Sequence, residues 1–514
     1  MNLVSILHER ARSHPDQIAI SDRVGGEDRS ITFGELSHRV AAGARFLAGH
    51  GLQPGDTVLL FHPVRIELYE VLLSLFHAGM TAMLIDPSAG AEFIGHCCRR
   101  RAPDAYFGSR LAHLLRLRIR ALRGVGRCFH PAGWMPFSTP WSLSREAGKP
   151  VPCNPGTPAL ITFTSGSTGA PKAAVRTHQF LHAQYEALSR SLHLVEGERD
   201  LVTLPVFVLA NLAAGVTSVI ADTDLRVPGQ ADADAIRSQC HRLGPARCTA
   251  SPAFFERLLK HPDGPPPFTS LYTGGAPVFP DLLDRLLRAL PGAGVHAIYG
   301  STEAEPISEF ETTELSEGDR IRVTNGEGLP AGRPVDAIDL IILPDQFGQP
   351  LGPFAEEDFR ALALPPGKVG EIVVAGEHVL PGYLDGVGDQ ETKIMVGDRV
   401  WHRTGDAGSL DPDGRLWLHG RCAARLPGGF YPLAIEAALR DLPGHPRTAL
   451  VAHRGITVVV EGQTVPREIS DSIRSRFGST PVRIVCLPEI PMDRRHNAKV
   501  DYPALRRQLD KTGL

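Results

Sequence analysis

The sequence has 514 residues and a mass of 55.6 kDa, a length that predicts at least two domains. Its 54 basic and 57 acidic side chains leave a net charge of −3, which argues against a protein that binds nucleic acid. Hydrophobic residues at 42% and charged residues at 22% are typical of a globular protein rather than a disordered or fibrous one. The eight cysteines form no CxxC pair, so we expect reduced thiols and no cysteine-ligated metal.

The amino-terminal residues carry Glu9 and Arg10 where a signal peptide would have its apolar core. The most apolar stretch, 68–85, is interrupted by Glu70 and His77 and is therefore a poor membrane-spanning segment. We expect a soluble, cytoplasmic protein.

Helical and β-rich segments alternate along most of the chain, with Gly and Pro at the joints. Residues 33–51 and 67–80 have helical patterns, and the β-rich segment 57–61 lies between them. This alternation predicts a large domain of layered α/β structure over residues 1–420. Helical and strand patterns alternate again after residue 420, which predicts a small α+β domain over residues 421–514.

The segment 97–127 contains nine arginines, and residues 111–123 mix Leu and Arg at near-helical spacing. One interpretation is a solvated amphipathic helix. The other is a patch that contacts anionic lipid or the phosphates of a cofactor.

A β-branched run from Ile161 opens into a polar, glycine-containing loop that ends at Lys172. Glycines let backbone N–H groups approach anionic oxygens, hydroxyls donate further hydrogen bonds, and lysine supplies a compact positive charge. The spacing excludes an ordinary P-loop. A simple hairpin is the alternative to a phosphate site made by Thr164, Ser165, Gly166, Ser167, Thr168, Gly169 and Lys172.

Three later segments also concentrate polar chemistry. Residues 299–303 combine Tyr, two hydroxyls and Glu303, whose carboxylate suits Mg²⁺. Residues 401–406 place Asp406 after what we predict to be a tight turn, and residues 411–421 predict a hairpin that ends in Arg421. Near the carboxyl terminus, Lys499 closes a polar loop.

These motifs, in this order, resemble those of the acyl-adenylate-forming superfamily, which includes acyl-CoA synthetases, adenylation domains of peptide synthetases, and luciferases. The resemblance extends over nearly the whole chain and rests on residues 164–172, 272–277, 299–303, 404–421 and 497–499. It implies a large amino-terminal α/β domain, a small mobile carboxyl-terminal domain, and ATP and Mg²⁺ as cofactors.

The resemblance also implies roles for individual residues. The loop 164–172 would hold the β- and γ-phosphates of ATP, and Lys499 would act between the substrate carboxylate and the α-phosphate. Thr302 would contact the α-phosphate and Glu303 would bind Mg²⁺. The nucleoside would be held by Gly274, Gly275, Ala276 and Tyr299 at the adenine, and by Asp406 and Arg421 at the ribose.

In the family, the small domain rotates between a pose for adenylation and a pose for the next reaction. Where relatives have Asp or Lys at the hinge, this chain has Ala423. Adenylation is therefore better supported than a second step that depends on rotation.

The segment 204–220 corresponds to part of the family's acyl pocket and offers no acidic side chain to a substrate ammonium. An apolar carboxylic acid is thus a better substrate prediction than an amino acid. A buried structural core is the alternative interpretation of this segment. The residues predicted to line the pocket are Phe207, Val208, Asn211 and Ser301.

The motifs are most similar to those of the β-lactone synthetases of olefin biosynthesis and their fatty-acyl ligase relatives. This implies activation of a fatty or β-hydroxy fatty acid as acyl-AMP, followed by transfer or β-lactone closure. The alternatives are an acyl-CoA or carrier-protein ligase, an amide-forming or amino-acid-activating enzyme, and a non-catalytic nucleotide-binding descendant. Which partners the protein has depends on the second step. They could include coenzyme A, a separate carrier protein or pathway enzymes, and the arginine-rich segment could add a peripheral membrane contact.

Overall fold

The structure is a computed structural model that describes residues 2–144, 146, 148–165, 171–442, 447–492 and 500–512. The chain divides into two compact units. The first comprises Met1–Asp222, Leu243–Pro245 and Glu377–Asp389, and the second comprises Thr223–Arg242, Ala246–Gly376 and Gln390–Leu514. The domain boundary predicted at residues 420 and 421 falls inside the second unit and stays a prediction.

The first unit alternates helices and strands as the sequence predicts. Its helices are α1 (Val4–Ser13), α2 (Phe33–Gly49), α3 (Ile66–His77), α4 (Ala91–Arg100), α5 (Arg110–Arg118), α6 (Arg120–Arg123), α7 (His178–Ser191) and α8 (Pro205–Ala214). Its strands are β1 (Ile18–Val24), β2 (Glu27–Thr32), β3 (Thr57–Phe61), β4 (Thr81–Leu84), β5 (Ala105–Gly108), β6 (Arg127–His130), β7 (Thr139–Pro140), β8 (Pro158–Ser165), β9 (Pro171–Thr177), β10 (Arg199–Val202) and β11 (Thr217–Ile220).

Two sheets organise the first unit. One has the order β7-β6-β5-β3-β4-β8-β9, parallel except for the β8–β9 hairpin. In the other, β11 pairs in parallel with β10 and β1, and β2 pairs antiparallel with β1. Because strands buried on both faces need apolar residues throughout, the continuous run of β3 matches its position inside a parallel sheet.

The second unit contains the remaining elements. Its helices are α9 (Ala233–Leu243), α10 (Pro252–Leu259), α11 (Pro280–Ala289), α12 (Glu317–Thr324), α13 (Glu356–Ala361), α14 (Asp389–Thr392), α15 (Pro432–Arg440), α16 (Arg467–Phe477) and α17 (Tyr502–Thr512). Its strands are β12 (Arg247–Ala250), β13 (Ser270–Gly274), β14 (Gly294–Ser301), β15 (Ala304–Glu311), β16 (Leu329–Pro334), β17 (Asp339–Leu343), β18 (Gly370–Ala375), β19 (Lys393–Val396), β20 (Arg399–Leu410), β21 (Leu416–Arg421), β22 (Thr448–Ala452), β23 (Ile456–Glu461) and β24 (Val482–Leu487).

Strands β12, β13 and β14 run parallel, and antiparallel pairs then continue through β15, β16, β21, β20, β18 and β17. The later strands β22, β23 and β24 form a separate sheet. Leu450 and Val458 pack on one face of this small sheet, whereas Ala449 and Val459 pack on the other. This alternation gives the predicted α+β arrangement two apolar faces, one against α16 and one against α17.

Two local predictions are wrong. Residues 111–123 do not form one helix, because Ile119 has an extended conformation and is buried in the core between α5 and α6. Residues 401–406 lie inside the long strand β20 and do not form the predicted tight turn. The irregularity there is a register shift against β18, where Arg403 pairs with Val373 but Ala407 pairs with Glu371. The hairpin predicted over 411–421 is confirmed by the β20–β21 pair.

Within the described parts of the chain, no helix has the length and apolar character required to cross a membrane.

Candidate functional site

Thr302 and Glu303 form the tip of a β-hairpin. Ser301 of β14 pairs with Ala304 of β15, so the two residues between them make the connection. The Glu303 backbone N–H donates to Ser301 Oγ at 3.3 Å, and the Glu303 side chain is partly exposed. A short turn of this kind presents a hydroxyl and a carboxylate together at the end of the two strands.

Asp406 lies at the centre of a polar cluster on the same sheet. It pairs across the β20–β21 ladder with Arg421, whose Nε contacts Asp406 Oδ1 at 3.0 Å. Tyr299 donates its hydroxyl to Asp406 Oδ2 at 2.7 Å. Thr404 supports the strand by accepting from the Asp406 N–H at 3.0 Å and donating to the Ile372 carbonyl at 2.9 Å.

The electrostatics of this cluster fix the protonation of its donors. Burial and the negative charge of Asp406 raise the pKa of Tyr299 well above its usual value. The same carboxylate raises the pKa of Arg421. Tyr299 therefore stays a neutral hydrogen-bond donor and Arg421 stays a cation. The Asp406 carboxylate has room for about four hydrogen bonds, and these two neighbours leave capacity for two hydroxyl donors.

The segment 274–276 leaves strand β13 beside β14. A Cβ atom at Gly274 would lie 2.5 Å from the Ile298 carbonyl oxygen, so a side chain there would displace the neighbouring strand. Gly275 has φ of +77°, which glycine adopts without strain. This segment therefore needs its glycines for close packing and for the turn.

A cavity of about 860 Å³ opens in the second unit. It is large enough for a nucleoside with part of a second ligand. Its walls include five residues that the sequence predicts to hold the nucleoside, namely Gly275, Ala276, Tyr299, Asp406 and Arg421.

Lys172 lies in the first unit, at the start of strand β9 and opposite Thr164 of β8. It is buried, and its Nζ lies 5.4 Å from the centre of the Tyr383 ring. A Cβ atom at Gly388 would lie 2.6 Å from Lys172 Cε, so only a glycine leaves room for the lysine stem. Arg100 holds the same region by donating to the carbonyls of Pro171 and Leu384.

Sequence analysis missed Tyr383, Gly388 and Arg100. Tyr383 and Gly388 are more than 200 residues from Lys172 in the chain, and Arg100 appeared only as one of many arginines. The segment 381–388, with three glycines and a proline, is the signal that would have marked a close backbone approach.

Not every predicted residue falls in the described part of the chain. Gly166, Ser167, Thr168, Gly169 and Lys499 lie outside the described residues, as does the side chain of Ser165. Their roles stay predictions.

The predicted acyl-pocket residues of α8 are buried in the first unit, whereas Ser301 lies at the β14–β15 hairpin of the second. Asn211 donates to Asp200 Oδ2 at 3.1 Å and to Ser218 Oγ at 3.2 Å. Phe207 and Val208 are enclosed beside it. The structure thus places this helix in a core, and the substrate role of these residues stays a prediction.

The metal prediction rests on one carboxylate. Among the described residues no group of three or more His, Cys, Asp or Glu side chains is placed to hold a metal ion. Mg²⁺ is commonly bound by one or two carboxylates with substrate phosphates and waters, so a single Glu303 is compatible with a metal that arrives with a nucleotide.

Comparison with known proteins identifies the family. The model for the AMP-binding enzyme family matches residues 7–384. An olefin beta-lactone synthetase of Stenotrophomonas maltophilia is 32% identical over 97% of this chain and 96% of its own length. A 2-succinylbenzoate–CoA ligase of Geobacillus kaustophilus is 28% identical over 92% of this chain and 88% of its own length. The chain belongs to the AMP-binding enzyme family.

A solved structure confirms the fold class. An amide bond synthetase from Marinactinospora thermotolerans superposes with a TM-score of 0.80 over 99% of both chains, at 20% identity. The likeness supports the predicted fold, a large α/β region followed by a small α+β region. As a member of its family, the chain is an AMP-forming ligase that activates a carboxylic acid with ATP.

Proposed function

We propose that this enzyme activates a β-hydroxy fatty acid as its acyl adenylate and then closes the acyl group to a β-lactone. The observation that carries this proposal is the 32% identity to an olefin beta-lactone synthetase over almost the whole of both chains. The apolar character of segment 204–220 also favours a hydrocarbon chain over an amino acid.

In this proposal, Asp406 accepts the two ribose hydroxyls of ATP. The support is geometric, because the carboxylate is oriented by Tyr299 and Arg421 and lines the cavity with free acceptor capacity. Gly274, Gly275 and Ala276 contact the adenine together with Tyr299. The buried tyrosine holds Asp406 in place while its ring forms part of the cavity wall.

The polyphosphate is assigned to the β8–β9 hairpin loop, with Lys172 as its cation and Thr164 beside it. The loop residues 165–169 contribute hydroxyl and backbone donors. Thr302 contacts the α-phosphate, and the Glu303 carboxylate would hold Mg²⁺, which would supply positive charge to the phosphates. A hydroxyl and a carboxylate on one two-residue turn suit these paired roles.

The first step joins the substrate carboxylate oxygen to the α-phosphorus and releases pyrophosphate. It brings two anions together, so a cation that contacts the α-phosphate in the transition state accelerates it. Lys499 is assigned this role. In the second step the β-hydroxyl oxygen attacks the acyl carbonyl carbon, the bond to AMP breaks, and the hydroxyl proton leaves to solvent. The acid loses one water overall.

Thioester formation with coenzyme A is the second candidate function. It is favoured by the 28% identity to a CoA ligase over 92% of the chain. It requires a thiol acceptor and rotation of the small domain into the family's second pose. At the hinge of that rotation this chain has Ala423 where relatives have Asp or Lys. The first step and its residues are the same in both proposals.

Pyrophosphate exchange with a panel of fatty, β-hydroxy fatty, aryl and amino acids tests the first step and the acid class. Product masses with and without coenzyme A then test the acceptor. A product lighter than a β-hydroxy acid by one water, formed without coenzyme A, supports the lactone. Acyl-CoA formation with only acyl-AMP in the absence of coenzyme A refutes lactone closure and leaves adenylation intact.

A further inference from the structure

The first unit carries a surface whose composition is unusual for a protein exterior. Helix α5 and the loop 131–138 expose large apolar side chains, namely Leu111 (79% exposed), Leu114 (55%), Leu117 (69%), Trp134 (81%) and Phe137 (91%). Exposed arginines lie on α5, at positions 110 and 118, and on the adjoining helix α6, at positions 120 and 123. We call these nine residues the basic apolar patch.

The helix orients the two kinds of side chain together. At about 100° per residue, the exposed positions of α5 fall within an arc of about 120°, in the order Leu117, Arg110, Leu114, Arg118 and Leu111. The rest of the helix is anchored, because Ala112 and Leu115 pack against the core and the buried His113 donates through Nε2 to the Phe129 carbonyl at 3.0 Å. Ile119 and Leu122 continue this anchor into the core. Leu111, Leu114 and Leu117 therefore face outward, although other apolar residues of the same segment pack into the core.

The loop 131–138 is held against α5 by polar contacts. Arg116 donates to the Phe137 carbonyl at 3.3 Å, and Arg110 donates to the Ala132 carbonyl at 3.4 Å. His130 contacts Ser138 Oγ at 3.0 Å and the Gly133 carbonyl at 2.8 Å. Trp134 and Phe137 are thus presented by an ordered hydrogen-bonded loop rather than by a loose tail.

The backbone of Phe137 gives a second indication that its exposed ring has a function. Its φ is +56°, a region that costs free energy for a bulky non-glycine residue. The ring gains no burial in return, since it is almost fully exposed. Strain combined with an exposed aromatic ring indicates that the ring meets another surface.

The charge of the segment identifies the kind of surface. Residues 105–144 contain six arginines and neither Asp nor Glu. Arginine combined with Trp, Phe and Leu matches the interface of an anionic bilayer, where aromatic rings enter the headgroup region and guanidinium groups contact phosphates. Five protruding apolar side chains form a small core for a standard protein interface, which buries about 20 to 30 residues on each side.

We propose that the basic apolar patch docks this enzyme reversibly on anionic lipid membranes. Trp134, Phe137 and the three leucines enter the headgroup region, and the arginines contact lipid phosphates. The proposal is independent of the acceptor in the second reaction step, since it concerns only where the enzyme binds.

Co-sedimentation with phosphatidylcholine vesicles, with and without phosphatidylglycerol, tests the proposal. The wild-type enzyme should bind the anionic vesicles, more weakly at high salt, and bind neutral vesicles poorly. The double variant Trp134→Ser/Phe137→Asn should lose binding at least about tenfold. Asn tolerates positive φ, so this change does not strain the loop. The matched control is Val195→Asn, which removes an exposed apolar side chain elsewhere on the first unit.

Charge reversal tests the arginines separately. Each basic residue near an anionic surface contributes about 1 kcal/mol, or about fivefold, so Arg118→Glu/Arg123→Glu should weaken binding about a hundredfold or more. Arg467→Glu/Arg474→Glu changes the net charge equally at exposed arginines of α16 and should leave binding unchanged. Pyrophosphate exchange verifies that every variant is folded.

Quenching by brominated lipid distinguishes insertion from other uses of the patch. Wild-type fluorescence should be quenched on anionic vesicles, and Trp134→Phe should bind but lose the quenching. Absence of wild-type binding, equal binding by the patch variants, or binding without quenching would each overturn the proposal. The second result would place lipid binding on another surface of the chain, and the third would indicate adsorption to the bilayer surface without insertion of Trp134.

Discussion

Replacement of Asp406 by Asn gives the sharpest test of the nucleoside site. The change keeps the shape of the side chain and an oxygen that accepts from Tyr299, but it removes the negative charge. A hydrogen bond to a charged group contributes about 1.5 to 3 kcal/mol, and a neutral one about 0.5 to 1.5 kcal/mol. Loss of the charge therefore costs about 1 to 2 kcal/mol for each ribose hydroxyl, or about 2 to 4 kcal/mol in total.

This loss corresponds to an increase of about 30-fold to several hundredfold in the KM for ATP. The carboxylate binds the ribose equally in the ground and transition states, so kcat should change little. The stability should fall by about 1 kcal/mol or less, because Arg421 is half exposed and its ion pair with Asp406 is screened by water. The measurements are pyrophosphate exchange over a range of ATP concentrations and chemical denaturation.

The chain offers a matched control in Asp345. It accepts from the Tyr431 hydroxyl at 2.6 Å and lies 3.7 Å from Arg425, which repeats the Tyr–Asp–Arg arrangement with three residues that do not line the cavity. Asp345→Asn should have a similar effect on stability and leave the KM for ATP unchanged. A folded Asp406→Asn enzyme with wild-type KM, or an equal rise in KM for both variants, would refute the ribose assignment.

Three further predictions concern other parts of the site. Lys172→Met keeps the apolar stem beside Tyr383 but removes the charge, so adenylation should fall about a hundredfold in pyrophosphate exchange with little change in Tm. Glu303→Gln should raise the Mg²⁺ concentration for half-maximal activity about tenfold in a metal titration, with a smaller effect at saturating Mg²⁺. Burial raises the pKa of Glu436 from 4.5 to about 7, so the folded state retains a proton that the unfolded state releases. The protonated carboxyl therefore favours folding at low pH, and this contribution to the free energy of unfolding is lost as the pH rises from about 4.5 to about 7. Because Gln cannot ionise, the stability of Glu436→Gln relative to wild type should increase between about pH 5 and about pH 8. Chemical denaturation at several pH values measures this, and a difference that does not change with pH would contradict it.

The parts of the site that sequence analysis predicts well are local in the chain. Thr302 and Glu303 occupy one short turn, and the hairpin of β20 and β21 brings Asp406 opposite Arg421 through a connection of a few residues. In both cases the spacing and the turn residues determine which side chains meet. The contact between Tyr299 and Asp406 spans 107 residues, so it follows from strand order rather than from a local pattern.

The two wrong predictions of local structure have a physical explanation, because tertiary contacts compete with the local preference of the sequence. The mixture of Leu and Arg in 111–123 fits a helix, but Ile119 reaches the core by leaving the helical conformation. The segment 401–406 contains Gly405, and a glycine between polar residues is typical of a turn. Gly405 does have a positive φ of +70°. Pairing with β18 and β21 on both sides holds it in a strand instead. Burial in the core thus overrides the local helical preference at Ile119, and strand pairing overrides the local turn preference in 401–406.

The acceptor of the second step follows from a competition between two nucleophiles. A β-hydroxyl in the substrate is already beside the acyl carbonyl, and well-oriented internal groups reach effective concentrations of about 10⁵ to 10⁸ M. The strain of a four-membered ring reduces this advantage, whereas departure of AMP from the acyl phosphate anhydride favours closure. A thiol must instead bind from solution after each adenylation. Comparison of a β-hydroxy acid with its deoxy analogue therefore separates the two functions, because only the first can form a lactone while both can form a thioester.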